Sequence, residues 1–201
     1  MENDADIHYV QPKTARGQRR VQKILNAAAD LIVEEGLDTL TTNAVAKRAQ
    51  TSIGSVYQFF PNKESILLAL ADQYRMDLNH ILDESLERTL HSCNFSEQLD
   101  NLIEKIVLYE VHHLALGVIF QPYKGMATDL LFNEVMSRLV RLLTLWAPHM
   151  SREESHLHAD ICLRVMVALL PVTHDKSEIR MDGVRELKNV LKNYLMPLLK
   201  N

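Results

Sequence analysis

The chain has 201 residues, 47% of them hydrophobic and 24% charged, with a formal net charge of −4. That length can bury a real core in one large domain or two small ones, and the composition is that of an ordinary globular protein rich in helix formers. Cys93 and Cys162 are far apart and form no CxxC pair, which argues against a disulfide framework or a zinc site and for reduced thiols in a cytoplasm. The N-terminal MENDADIHYVQPKTARGQRR lacks the apolar core of a signal peptide, and no stretch approaches 18 uncharged apolar residues, so no membrane partner is expected.

Charge is unevenly spread. Residues 13–63 carry eight Lys/Arg against four Asp/Glu, whereas residues 64–201 carry 14 against 19. A small basic unit joined to a larger acidic body suits a polyanionic partner of the former.

In chain order, residues 1–17 read as a basic, disordered arm. Lys13, Arg16, Arg19, Arg20 and Lys23 lie in or just beyond it. A first long helix is expected between Gly17 and Gly36, with Val21, Ile24, Leu25, Ala28, Leu31 and Ile32 on one face. Two short pieces follow, TTNAVAKRAQ and SIGSVYQFF, the second closed by Pro61. Thr41 or Thr42 can cap the first piece, and Ser52 the second by accepting from the amide near Ser55. Val56 and Phe60, four residues apart, point toward a core shared with Ile24, Ala28, Ile32 and Leu40. Two short helices joined by a steep turn and packed on a third make a helix-turn-helix.

Asn62 can cap the next helix, which runs from Lys63 to about Leu90 without Gly or Pro. Further helical blocks are expected near 96–116, 127–146, 152–170 and 177–199. The predicted class is therefore all-α, with about nine helices and no sheet. The 152–170 block becomes apolar nearly all round after Ala159, and such a helix has to be covered on several faces.

The segment from Thr41 to Ala49, followed by Ser52-x-Gly54-Ser55-Val56-Tyr57-x-x-Phe60-Pro61-Asn62-Lys63-Glu64, resembles in register the DNA-binding module of the TetR family of bacterial repressors. The similarity in wording covers roughly residues 18–70; beyond it only length and helical layout are similar. Gln50 and Thr51 depart from the Gly and Val usual in the family's turn, and Gln at a position that often needs positive φ implies modest strain.

The resemblance implies a helix-turn-helix domain over 18–62 and an effector-binding and dimerisation domain over 63–201. It assigns phosphate contacts to Thr42, Tyr57 and Lys63, roles that a hydroxyl, a phenol and an ammonium fit chemically. Ile53, Gly54, Ser55 and Gln58 then line the major-groove side, with Asn43, Arg48 and Ser52 in the same DNA-facing set. Phe59 stands between a groove contact and the core. Gln58 is the candidate base reader, because its amide can pair bidentately with adenine. The basic arm is a candidate for tracking the backbone or entering the minor groove.

An effector pocket is expected among Leu78, Leu82, Tyr109, His112, His113, Phe120, Tyr123, Phe132, Met136 and Trp146. A homodimer is expected through Cys162, Val165, Met166 and Leu169 with Leu187, Leu191, Tyr194 and Leu195. The implied partners are double-stranded DNA with a near-palindromic operator, an unnamed small molecule and a second copy of the chain. No metal or cofactor is expected: the neighbours His112 and His113 point about 100° apart on a helix, as different faces also separate His156 from His158. The enzyme alternative lacks a Gly-rich phosphate loop, a nucleophile elbow or HExxH, and Glu110 near His112 reads as ordinary helix surface. A protein–protein adaptor built on an inactive helix-turn-helix is the other competing class.

Overall fold

The computed structural model describes residues 9–91, 94–119, 126–175 and 178–199. Its helices are α1 (Ala15–Glu35), α2 (Thr42–Arg48), α3 (Ile53–Tyr57), α4 (Lys63–His91), α5 (Phe95–His112), α6 (Ala115–Ile119), α7 (Met126–Trp146), α8 (Arg152–Leu169) and α9 (Met181–Leu195). Two strands, β1 (His174–Asp175) and β2 (Glu178–Ile179), pair antiparallel between α8 and α9. The chain divides into two compact units, Met1–Tyr74 with Leu114–Asp129, and Arg75–His113 with Leu130–Asn201.

In the first unit Ile24, Ala28, Ile32, Leu40, Val45, Val56 and Phe60 have no appreciable solvent exposure. This is the core that the helical spacing predicts. The unit extends past residue 62 because α4 continues it with the buried Ile66, Ala69, Leu70 and Tyr74. It also takes in α6, which packs on α1.

The expected disordered arm is corrected from Tyr9 onward. The Val10 N–H donates to the Phe59 carbonyl at 2.9 Å, and the Tyr9 ring stacks on Phe60 with centroids 6.0 Å apart. Thr14 then caps α1 by accepting from the Gly17 N–H, so the helix starts at Ala15. Arg16, Arg19, Arg20 and Lys23 therefore lie on helical turns, and entry into a minor groove as an extended strand is not open to them.

The second unit centres on Leu82, Ile103, Leu142 and Leu187, each at most 1% exposed. Charge pairs lace its elements together: Lys192 to Asp100 at 2.6 Å and Lys188 to Glu104 between α9 and α5, Arg138 to Asp83 at 3.0 Å between α7 and α4. The expected helix over 96–116 breaks at His113. There the His112 and His113 imidazoles each reach back with Nδ1 to a carbonyl four residues earlier, both at 2.8 Å, taking over acceptors at the helix end.

The expected helix from Ser177 starts four residues later. Upstream of Met181 the exposed Ile179 offers no inward face, and Glu178–Ile179 pair with His174–Asp175 instead. Gly183 lets α9 meet the end of α8 closely, since a Cβ there would lie 2.0 Å from the Val172 carbonyl oxygen. Cys162 is half-buried, and burial pushes its thiol up to about 12; Cys93 lies outside the described residues.

Candidate nucleic-acid interface

At seven and five residues, α2 and α3 are too short to persist alone, because helix nucleation is unfavourable. Their ends and inner faces hold them. Thr41 caps α2, accepting from the Ala44 N–H at 3.1 Å, and Ser52 caps α3, accepting from the Ser55 N–H at 3.2 Å. Between them the Gln50 N–H donates to the Lys47 carbonyl at 3.1 Å and the Thr51 N–H to the Ala46 carbonyl at 3.0 Å. This pair of bonds is the Schellman helix end, which puts the residue after the cap in the left-handed region. That residue is Gln50, at φ 46°, the one positive-φ position without glycine among the described residues. The turn thus keeps its ordinary hydrogen bonds, and the strain stays local to Gln50.

With Val45, Ala46, Ala49, Val56 and Phe60 buried, the other face is offered to solvent. Asn43, Ser52, Ile53, Gly54, Tyr57, Gln58 and Lys63 are exposed, and Thr42 and Ser55 half-exposed. The Thr42 hydroxyl donates to the Tyr57 phenolic oxygen at 3.3 Å, so two hydroxyls from different helices converge on one point. Such a pair can grip a single phosphate oxygen. Lys63 opens the 29-residue α4, whose first turn Asn62 caps by accepting from the Ser65 N–H at 2.8 Å. An ammonium at the positive end of a long helix suits a second phosphate.

Two expectations change. Phe59 is only 6% exposed, with its ring against Phe60 at 6.4 Å, so it belongs to the core rather than the groove face. The reason is local: α3 ends at Tyr57, and the chain turns inward two residues later. Arg48 forms a two-pronged ion pair with Glu34, at 2.9 and 2.6 Å. The bond holds the Glu34 carboxyl below its ordinary range and raises the guanidinium further, and it draws Arg48 toward α1.

The described residues of the expected pocket set have different surroundings. Leu78, Leu82 and Met136 are core, His112 is exposed, and Trp146 donates from Nε1 to Gln98 at 2.8 Å. Tyr109 stacks on His113 and donates to Asp77 at 2.7 Å. Phe132 is half-exposed, while Phe120 and Tyr123 lie outside the described residues. An open cleft of about 740 Å³ is lined by Glu84, Glu87, Arg88, Leu90, Glu97, Gln98 and Asn101, none of them in the expected set.

Glu110 is also corrected. It is 4% exposed, with Oε2 lying 2.5 Å from His174 Nε2. Burial raises its pKa, and the His174 imidazole pulls the other way. The signal was its position on the stripe of Leu99, Leu102, Ile103 and Val107, where a carboxylate has no business unless paired.

The expected dimer set divides as well. Met166, Leu187, Leu191 and Leu195 are buried within the unit itself, because the α9 stripe packs on α5 and α8. Cys162, Val165, Leu169 and Tyr194 remain half-exposed. The outward stripe of α8 is completed by Leu157, Ile161 and Ala168, with Val172 just past the helix end, which spacing alone did not single out. Residues 152–172 are long and on average apolar enough to cross a membrane, but the stretch holds Arg152, Glu153, Glu154, Asp160 and Arg164 and so is not an uncharged apolar run.

The sequence profile of the bacterial regulatory proteins, tetR family, matches residues 24–70, the stretch that holds both short helices and their caps. The uncharacterized HTH-type transcriptional regulator YvdT of Bacillus subtilis (strain 168) is 33% identical over 118 residues, 59% of this chain; the match spans little more than half of that relative, 57%. A TetR-family transcriptional regulator from Streptomyces coelicolor has a crystal structure that superposes with TM-score 0.64 at 24% identity, covering 89% of this chain and 99% of that one. The FadR regulator of Bacillus subtilis in complex with stearoyl-CoA superposes with TM-score 0.65 at 16% identity, covering 85% and 96%. Residues 24–70 thus carry the helix-turn-helix segment of the bacterial regulatory proteins, tetR family, and the chain shares its all-helical fold with solved TetR-family structures.

Proposed function

We propose that the chain is a sequence-specific DNA-binding transcription regulator, acting as a repressor that a small molecule releases from its operator. The observation that carries this is the solvent-facing surface of the helix-turn-helix. Thr42 and Tyr57 converge there beside the exposed Ile53, Gly54 and Gln58, with Lys63 nearby at the start of α4. In this reading Thr42, Tyr57 and Lys63 hold phosphates, which sets register without reading sequence. Gln58 reads a base, Ile53 meets a thymine methyl, and Gly54 lets the backbone approach. Asn43, Ser52 and Ser55 line the same face. Arg48 joins them only by leaving Glu34.

A homodimer through the outward face of α8 would put two recognition helices about 34 Å apart and require a near-palindromic operator. The effector acts by favouring one of two dimer arrangements, since a ligand shifts an equilibrium only by its differential affinity. The bound FadR neighbour motivates this arm of the proposal. The reading gives the chain no catalytic role and places it in the cytoplasm, at the nucleoid when bound to DNA.

Selection of duplexes from a random pool, followed by gel shift, tests the proposal. The expected outcome is a near-palindromic consensus whose preference at one base pair relaxes in Gln58→Ala, with a loss of about 1–3 kcal/mol there. Weak binding that is blind to sequence and abolished by moderate salt sinks it.

A further inference from the structure

We propose that residues 9–11 form a strap that positions the recognition helix, with Tyr9 and Val10 as positioning residues for operator recognition. The inference rests on the DNA-binding reading above.

The strap joins two places that have to stay in register. At one end the Val10 N–H donates to the Phe59 carbonyl at 2.9 Å, just beyond the C-terminus of α3. At the other the Tyr9 hydroxyl donates to the Asp72 carboxylate at 3.2 Å, on α4. Between them the Tyr9 ring covers Phe60, the fully buried anchor of α3, and the Gln11 side-chain amide donates back to the Tyr9 oxygen at 2.9 Å. The backbone of a five-residue helix supplies little order of its own. Its N-terminus is fixed by the Ser52 cap and the turn at Gln50. Its C-terminal end is fixed by Phe59 and Phe60 beneath and by the strap alongside.

Loosening the strap lets α3 sample orientations that miss the groove. Apparent affinity falls in proportion to the competent fraction. Only specific binding should suffer, because non-specific binding depends on charge rather than on the register of α3. The strap's contacting groups are a phenol, a backbone amide and a side-chain amide, so no phosphate-neutralising charge is removed with it.

The test uses the full chain, the duplex that the wild type selects, and a scrambled duplex of equal length. Tyr9→Ala should weaken binding to the selected duplex about tenfold, the scale of one lost charge-assisted hydrogen bond with its packing, while binding to the scrambled duplex changes less than about twofold. The slope of log affinity against log salt should stay as in the wild type. Tyr9→Phe keeps the ring on Phe60 and should recover part of the loss. Asp72→Ala should match Tyr9→Phe, and the two combined should be no worse than either alone.

A lowered Tm with an unchanged ratio of specific to scrambled binding shows the strap to be a stability element only, and overturns the proposal. A reduced salt slope shows a direct phosphate contact and overturns it equally. A wild-type chain that selects no duplex removes the DNA-binding reading and the strap's role together, whereas selection by the wild type with unaffected variants removes the strap alone.

Discussion

Gln50 occupies the left-handed position of a Schellman helix end that glycine fills without a Cβ penalty. An L-residue there costs about 1 kcal/mol. Gln50→Gly should therefore raise the urea midpoint by an amount equivalent to about 1 kcal/mol with no change in m-value. No gain would mean that the Gln side chain offsets its own strain. Glu110 makes a prediction of the opposite kind. Burial lifts its folded-state pKa above the ordinary 4.5, so the folded chain holds that proton more tightly than the unfolded one. Its contribution is full below pH 4.5 and is lost as pH rises through the raised value. The stability of Glu110→Gln relative to the wild type should therefore improve as pH rises from 4.5 through the raised value. A flat difference over that range shows Glu110 to be ionised in the fold without penalty.

Among the elements, α8 is divided by face. Ser155, Ala159, Leu163 and Met166 turn inward, with Leu170 just past the helix end, while Leu157, Ile161, Val165 and Ala168 form an outward stripe of the same period that Val172 continues beyond it. A stripe of that extent on a helix end capped by Ser151 and Glu154 is a surface for a second copy under the proposed function. Val165→Glu should yield a folded monomer by light scattering at micromolar concentration, with helical circular dichroism retained. A dimer that survives this change locates the interface elsewhere. The reverse applies to Gly183, where a Cβ would collide with the Val172 carbonyl. Gly183→Ala should cost about 1–3 kcal/mol, because neither backbone can yield easily, and thermal melts read it directly.

For the whole molecule, the contrast between a basic N-terminal segment and an acidic remainder sets how binding responds to salt. Operator affinity should fall linearly in log salt, with a slope of about −0.9 for each phosphate neutralised. Lys63→Ala should lower the slope by about one and weaken all sequences alike. An unchanged slope would take Lys63 off the phosphate backbone. The hydroxyl pair of Thr42 and Tyr57 carries no charge, so Tyr57→Phe should weaken binding while leaving the slope intact.

Local chemistry written into the sequence determined the helices, the caps at Thr41, Ser52 and Asn62, the core shared by Ile24, Ala28, Val56 and Phe60, and the family of the N-terminal segment. Caps, periodicity and turns act within a few residues, so one chain is enough to read them. Tertiary structure alone decided that Phe59 faces inward, that Arg48 is engaged by Glu34, that Glu110 is buried with His174 and that the N-terminal segment lies along α3. It also decided which apolar stripe of α8 and α9 is core and which is offered outward. Each of those outcomes depends on a partner 14 to 64 residues away in sequence or on the packing of a whole unit. Spacing along a helix says which side chains share a face, and only the fold says what that face meets.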